Sequence, residues 1–95
     1  MKNIPTELPI RSKLKMIDDI IQIIHHLHTG ARSAADPLIN DLKVRSIYLD
    51  EQIQQDVLTF AGQVYFQYEY DPWHKVTPDI QKAADKLIRD LGFTI

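Results

Sequence analysis

The sequence predicts an all-α fold, an antiparallel bundle of four helices. Apolar residues recur every three or four positions in four stretches, which is the period of an amphipathic helix. Glycine or proline stands near most ends of these stretches, and no stretch alternates in the manner of a strand followed by a hairpin turn. The 95 residues form a single domain, and short connections favour antiparallel neighbours. Residues 1–9 are expected to form an extended or frayed lead.

The first predicted helix begins at about Ile10 or Arg11 and ends at His28. Gly30 is expected to terminate it, because glycine adopts the left-handed conformation without steric cost. The predicted apolar face, widened by Met16 and Ile23, consists of Ile10, Leu14, Ile17, Ile20, Ile21, Ile24 and Leu27. The solvated half is expected to hold Arg11, Lys15, Asp18, Asp19, Gln22 and His26. Asp18 and Asp19 are therefore interpreted as ordinary surface charges.

The second predicted helix begins at Pro37 and ends near Ser46. Asp36 would cap its exposed N–H groups, and proline loses no hydrogen bond at the first helical position. Residues 31–35 would then form a small-residue connection, with Leu38, Ile39 and Leu42 facing inward. No glycine or proline separates this helix from the next, so one helix over residues 37–70 is an open alternative.

The third predicted helix begins at Asp50, its cap, and ends at Tyr70, before Asp71-Pro72. Six of the chain's eight aromatic residues lie between positions 60 and 73. The predicted core face consists of Ile53, Val57, Phe60, Ala61, Val64 and Tyr68. Phe66 and Tyr70 fall outside that face, so we expect Phe66 in particular to be exposed.

The fourth predicted helix begins at Pro78, is capped by Thr77 and ends at Leu91. Gly92 is expected to stop it, and Phe93 to fold back on its last turn. The predicted buried residues are Ile80, Ala83, Ala84, Leu87, Ile88 and Leu91, whereas Lys82, Lys86, Arg89 and Asp90 are expected to be solvated.

Composition excludes several classes of function. The net charge of −2 gives no general attraction to nucleic acid, and the third helix carries acidic residues but no lysine or arginine, so no nucleic-acid partner is expected. The chain contains no cysteine, and its N-terminus lacks the apolar run of a signal peptide. No segment approaches the roughly 20 apolar residues of a membrane span. A cytoplasmic location is expected.

No catalytic or metal-binding pattern stands out. The glycines are scattered singly, so there is no phosphate cradle, and we expect no enzymatic activity, cofactor or small-molecule substrate. His25, His26 and His28, with His74, are candidate metal ligands, but their spacing directs His26 away from the other two. His28 is expected to lie partly buried on the apolar face.

An aromatic patch is expected around the turn between the third and fourth helices. It would contain Phe66, Tyr70 and Trp73, with Phe93 adjoining and His74 and Lys75 at its edge. Trp73 has a second interpretation, as a lid that seals the core between these helices, and for Trp73 alone we favour the lid.

The C-terminal third of the chain also resembles a known family. The segment Val64-Tyr65-Phe66-Gln67-Tyr68, a loop with Lys75-Val76-Thr77, and the run Leu87-Ile88-Arg89-Asp90-Leu91 are similar to the C-terminal half of immunity proteins for pediocin-like bacteriocins, the enterocin A type in particular. The resemblance covers residues 63–92. Many members are basic, whereas this chain is slightly acidic, and its predicted second helix is shorter than theirs.

The resemblance implies a four-helix bundle that protects the producing cell from its own bacteriocin. Such a protein acts from the cytosolic side and recognises the mannose phosphotransferase permease once bacteriocin has engaged it. The residues expected to contact this membrane receptor complex are Phe66, Tyr70, Trp73, His74, Lys75 and Arg89. Two alternatives stay open: a small helical adaptor or regulator, and a module that self-associates through its aromatic face. The sequence leaves the cognate bacteriocin and the oligomeric state undetermined.

Overall fold

Four helices make up nearly all of the described chain. The computed structural model describes residues 7–70 and 76–92, with side chains over residues 10–67 and 76–92. The helices are α1 (Glu7–Thr29), α2 (Arg32–Ser46), α3 (Glu51–Tyr70) and α4 (Pro78–Asp90), and these ranges contain no strand. The predicted all-α four-helix bundle is confirmed. Because α2 ends at Ser46 and α3 starts at Glu51, the alternative of one continuous helix is wrong.

Helix α1 is longer at its start than the sequence predicted. It begins at Glu7, so residues 7–9 of the expected lead are helical, and Pro9 lies in the first turn, where a missing N–H breaks no helical bond. Residues 1–6 lie outside the described part of the chain. Gly30 ends the helix with a φ of 79°, as predicted. The Ala31 N–H donates to the His26 carbonyl at 2.8 Å and closes the turn.

Helix α2 corrects the predicted start at Pro37. It begins at Arg32, so residues 32–35 are helical rather than a connection, and Asp36 lies inside the helix instead of capping it. Ala34 and Ala35 are strong helix formers, and Ala35 becomes completely buried. Pro37 lies inside this helix and cannot donate the hydrogen bond to the carbonyl one turn earlier, so the helix carries a local irregularity cost at that position.

The predicted caps of α3 and α4 are confirmed. The Asp50 carboxylate accepts from the Ile53 N–H at 3.0 Å, and the Thr77 hydroxyl accepts from the Ile80 N–H at 3.1 Å. Each satisfies a backbone donor that the first helical turn leaves without a partner. Gly92, with a φ of 97°, follows the end of α4, and Leu91 beside it is buried.

Packing follows the order of the helices along the chain. Helix α1 packs chiefly on α2, α3 packs on α4, and a smaller contact between α2 and α3 joins the two hairpins. One continuous cluster forms the core, with Met16, Ile20, Ile23, Leu27, Ala35, Ile39, Leu42, Ile53, Val57, Phe60, Ala61, Val64, Ile80, Ala84, Leu87 and Leu91. The core predicted for α3 and α4 is confirmed, except that Ala83 and Ile88 are only partly buried against it. The side chain of Tyr68 lies outside the described residues.

The buried face of α1 is rotated from the predicted one. Ile10, Leu14 and Ile21 were expected in the core but are more than half exposed. The face that contacts α2 is centred on Met16 and Ile23, which the sequence placed at its margin. Apolar residues cover more than half the circumference of this helix, so periodicity alone does not select the strip that a single neighbour covers.

Two polar predictions for α1 were also wrong. Asp19 was assigned to the solvated side and is fully buried, because it lies between Met16 and Ile23 on the rotated face. His28 was expected to be partly buried but is exposed, because the buried face of α1 is rotated away from it.

None of the described helices is both long and apolar enough to cross a lipid bilayer.

Candidate interaction surface on the third helix

The side of α3 that faces away from the core carries an apolar surface, which we call the outer face: Leu58, Gly62, Tyr65 and Phe66. Leu58, Gly62 and Phe66 are four residues apart in sequence and therefore follow one another along the same side of the helix. The side chain of Leu58 is 54% exposed and that of Phe66 is 60% exposed. The predicted exposure of Phe66 is confirmed.

The outer face bears no charge. The sequence contains no charged residue from Val57 to Gln67, and the nearest one before it, Asp56, is only 5% exposed. Solvated helix surfaces normally carry charged side chains, whereas depletion of charge with enrichment of aromatic residues characterises the centres of protein interfaces. The outer face therefore has the composition of a contact surface.

Lys43 borders the outer face from α2. Its Nζ lies 5.3 Å from the centroid of the Tyr65 ring, a cation–π contact worth about 0.5–1 kcal/mol at an exposed site. Burial raises the pKa of the Tyr65 hydroxyl, and the negative charge of Asp36 raises it further. Tyr65 thus joins the outer face to the α2–α3 seam, while Leu58 and Phe66 project beyond it.

The predicted contact residues are described only in part. Phe66 lies on the outer side of α3, and Arg89 is exposed on α4, on the side away from the buried Ile80, Ala84 and Leu87. The side chain of Tyr70 and all of Trp73, His74 and Lys75 lie outside the described residues, as does Phe93. The aromatic patch at the α3–α4 turn and the lid interpretation of Trp73 both remain predictions.

A second feature, which the sequence analysis missed, is a buried carboxylate in each hairpin. In the first hairpin, Lys15 donates to Asp19, and its Nζ lies 3.7 Å from Asp41 on α2. Burial, followed by a hydrogen bond with Asp41, raises the pKa of Asp19 to about 6. The hydrogen bond with Asp19 lowers the pKa of Asp41, whose carboxylate also accepts from Arg45 at 2.9 Å.

The second hairpin repeats this arrangement with other residues. Asp56 on α3 accepts from Lys86 of α4 at 2.9 Å and from Gln52 at 3.0 Å. Burial, followed by a hydrogen bond with Asp90, raises the pKa of Asp56, and the same hydrogen bond lowers the pKa of Asp90. Each hairpin therefore holds two neighbouring carboxyl groups, one on each helix, and the more buried one of each pair gains a proton more readily than a free aspartate does.

A sequence signal for these carboxylates exists in retrospect. Asp19 has Met16 three residues before it and Ile23 four residues after it, and Asp56 has Ile53 and Phe60 at the same offsets. Residues at these offsets share a helix face, so an aspartate flanked in this way lies within the buried strip. Treating Asp19 as a neighbour of Asp18, rather than of Met16 and Ile23, concealed the pattern.

Neither carboxylate pair has the composition of a metal centre. Over residues 7–70 and 76–92, no three histidine or acidic side chains come close enough together to hold a metal ion. A lysine also donates to each buried carboxylate and supplies the positive charge that a cation would bring. The geometry fits a structural tie between paired helices.

Comparison with known proteins adds no family to these observations, since no protein-family model, curated protein or solved structure matches the chain. The functional inference therefore rests on the outer face of α3, on the exposed part of α4, and on the resemblance of residues 63–92.

Proposed function

We propose that the protein is an immunity protein for a pediocin-like bacteriocin. In this proposal it acts from the cytosolic side on the mannose phosphotransferase permease that bacteriocin has engaged. The observation that carries the proposal is the exposed Phe66 on the uncharged outer face of α3, within the segment that resembles the immunity proteins. The all-α four-helix fold agrees with the architecture that the resemblance implies.

Packing of the core does not account for the presence of a phenylalanine at position 66. The α3 core face is already filled by residues such as Val57, Phe60 and Val64, all completely buried. A phenylalanine that is 60% exposed loses free energy of transfer that burial against a partner would recover, up to about 1–2 kcal/mol. Aromatic residues are also frequent anchors in interfaces. These points favour Phe66 as a contact residue over Phe66 as a misplaced core residue.

Arg89 on α4 is a second described residue of the proposed contact set. It is exposed, belongs to the resembling segment, and offers a planar cation of the kind that is frequent in interfaces. Tyr70, Trp73, His74 and Lys75 complete the proposed contact set on the strength of the resemblance.

The direct test is protection of a sensitive strain. We expect a strain that expresses the protein to survive at least one peptide of a representative pediocin-like panel that kills the same strain carrying an empty vector. The variant Phe66→Ala should lose protection while its helical circular dichroism and expression level stay at those of the wild type. Tyr48→Ala is the matched control, because Tyr48 is an aromatic residue, 82% exposed, that lies outside the resembling segment.

Unchanged sensitivity to the whole panel, with the folded protein present, would overturn the proposal and favour a small helical adaptor or regulator. Protection that Phe66→Ala and Tyr48→Ala both retain would keep immunity but remove Phe66 from the contact set.

A further inference from the structure

Helix α1 carries a line of aliphatic side chains that the bundle covers only in part. We call it the α1 stripe: Ile10, Leu14, Ile17, Ile21 and Ile24. Their alternating spacings of four and three residues place all five on one side of the helix. Ile17 and Ile24 are partly buried against the core, whereas Ile10, Leu14 and Ile21 are 58%, 52% and 56% exposed. The stripe therefore runs along the edge of the buried face of α1 and extends onto its surface.

The α1 stripe lies away from the contact between α1 and α2. Two side chains mark the side of α1 that faces α2: Arg45 donates to Ser12 at 3.5 Å. The Nζ of Lys15 lies 3.7 Å from Asp41. At 3.6 residues per turn, Leu14 lies about 100° around the helix from Lys15 and about 160° from Ser12. The exposed part of the stripe therefore faces outward and does not line the seam between the two helices.

The start of the α1 stripe belongs to a basic part of an acidic chain. Residues 1–17 carry four basic side chains and one acidic side chain, a net charge of +3, whereas the whole chain has a net charge of −2. The remaining residues therefore sum to −5. Arg11 and Lys13 border the start of the stripe on its two sides, each about 60° around the helix from its nearest member. Lys15 differs from them, because it donates to the buried Asp19.

We propose that α1 binds an anionic lipid surface through this stripe. Ile10 and Leu14 enter the boundary between the head groups and the acyl chains, and Arg11 and Lys13 contact the anionic head groups. Helices that lie in a membrane interface present an apolar side bordered by cations in this way. Each lysine or arginine near an anionic leaflet strengthens the binding, and its long apolar stem can lie along the lipid while its charge stays among the head groups.

The composition of the stripe favours lipid over a protein or a nucleic acid. Contacts between proteins are anchored mainly by tryptophan, tyrosine and arginine, and α1 contains no phenylalanine, tyrosine or tryptophan. A nucleic acid would be bound through cations and polar groups, and isoleucine and leucine between them would gain nothing from phosphate. Aliphatic side chains between cations match the two layers of an anionic lipid surface, which are apolar below and negatively charged above.

Asp18 sets the orientation and limits the strength of this contact. It is exposed and lies about 40° around the helix from Leu14, one turn further along. An anionic surface repels this carboxylate, so the basic end of α1 with Ile10 should lie deeper than Ile21. Three half-exposed aliphatic side chains with two bordering cations give weak, reversible binding. The inference does not depend on the proposed immunity function.

Sedimentation with lipid vesicles tests the contact. The wild-type chain should bind vesicles that contain phosphatidylglycerol and should bind vesicles of phosphatidylcholine alone at least about fivefold more weakly. Added salt should reduce binding to the anionic vesicles, because it screens the attraction. Lys13→Gln should lower the partition coefficient about fivefold. Lys82→Gln makes the same charge change at an exposed position of α4 and should leave the coefficient nearly unchanged.

A second pair of variants tests the aliphatic part of the contact. Leu14 and Val44 are 52% and 50% exposed, but only Leu14 belongs to the stripe. Leu14→Gln should lower the partition coefficient at least about fivefold, whereas Val44→Gln should leave it unchanged. Asp18→Asn should raise it, because the repelled carboxylate is removed. Lys13 and Asp18 lie outside the core, so their variants keep the test informative even where Leu14→Gln lowers the melting temperature.

Three results would overturn the lipid contact: no binding to either kind of vesicle, equal binding to both kinds, or equal losses in Lys13→Gln and Lys82→Gln. The first of these would leave the stripe to a protein partner. A chain that binds no vesicles but protects cells would overturn only the lipid contact. A chain that binds anionic vesicles but protects no cells would overturn only the immunity proposal.

Discussion

Lys86 of α4 reaches across the second hairpin and donates to the buried carboxylate of Asp56 on α3, with Nζ and Oδ1 2.9 Å apart. The same ammonium group lies 2.7 Å from Asp90, one turn further along its own helix. Asp56 is only 5% exposed, and its Oδ1 atom also accepts from Gln52 at 3.0 Å. Lys86 therefore supplies the charge that makes a buried carboxylate tolerable between α3 and α4.

Removal of that lysine should destabilise the protein. Lys86→Met keeps most of the apolar stem but leaves Asp56 without its cation, so the midpoint of urea unfolding should fall clearly. Asp56→Asn in the same chain should restore part of the loss, because an amide is neutral. Lys82→Met, at an exposed position on the same helix, should leave the midpoint unchanged. Equal midpoints for the Lys86 and Lys82 variants would contradict this role.

The Asp19–Asp41 pair predicts how stability depends on pH. Because the pKa of Asp19 rises from 3.8 to about 6 on folding, the folded chain holds more protons than the unfolded chain between these values. The free energy of unfolding should therefore decrease as pH rises from about 4 to 6, by at most about 3 kcal/mol. The lowered pKa of Asp41 acts in the opposite sense, so stability should also decrease as pH falls below about 4.

Asp19→Asn tests this assignment. The variant cannot titrate at position 19, so the slope between pH 4 and 6 should shrink, with a remainder from Asp56, whose pKa burial also raises. Asp18→Asn, one residue away and exposed, should preserve the wild-type slope. Urea unfolding at a series of pH values gives both slopes, and an unchanged slope in Asp19→Asn would refute the assignment.

Truncation of the two phenylalanines of α3 should destabilise the protein to very different extents. Phe60 is completely buried, so Phe60→Ala should cost about 3–5 kcal/mol through lost burial and the cavity it leaves. Phe66 is mostly exposed, so Phe66→Ala should cost less than about 1 kcal/mol. Chemical denaturation measures both changes, and a large loss for Phe66→Ala would mean that this side chain is part of the core.

Substitution by alanine should change stability in opposite directions at Gly62 and Gly30, because the backbone conformations of these two glycines differ. Space is available at Gly30 and at Gly62, since an added Cβ meets nothing within 4 Å at either site. Gly62→Ala should raise the free energy of unfolding by about 1 kcal/mol through helix propensity. Gly30→Ala should lower it by about 1–2 kcal/mol, because a φ of 79° is strained for alanine. Thermal unfolding of the two variants measures both changes, and a loss of stability in Gly62→Ala would contradict the open site.

Local chemistry predicted much of the fold. Asp50 and Thr77 are side chains that can cap only where a helix begins, and Gly30 and Gly92 adopt conformations that other residues avoid, so these boundaries follow from single residues. The start of α2 did not follow in the same way. Proline favours the first position of a helix, whereas Pro37 is the sixth residue of α2, and the helix that precedes it includes the buried Ala35.

The candidate surface was predictable only where one helix face was unambiguous. Phe66 falls outside the regular core pattern of α3, so its exposure could be deduced from spacing. The burial of Asp19 depends instead on which strip of the α1 surface packs against α2. The spacing of apolar residues does not determine that strip, because apolar residues cover more than half of the helix circumference.

The order of packing has a consequence for how the chain folds. Each helix packs mainly on the one before or after it, so few contacts close long loops, and proteins with such local contacts fold in microseconds to milliseconds. The α1–α2 hairpin is complete at Ser46, and its Lys15–Asp41 contact needs nothing from later residues. We expect this hairpin to begin forming on the ribosome while α4 is still being synthesised, and to guide α3 into place as the nascent chain lengthens.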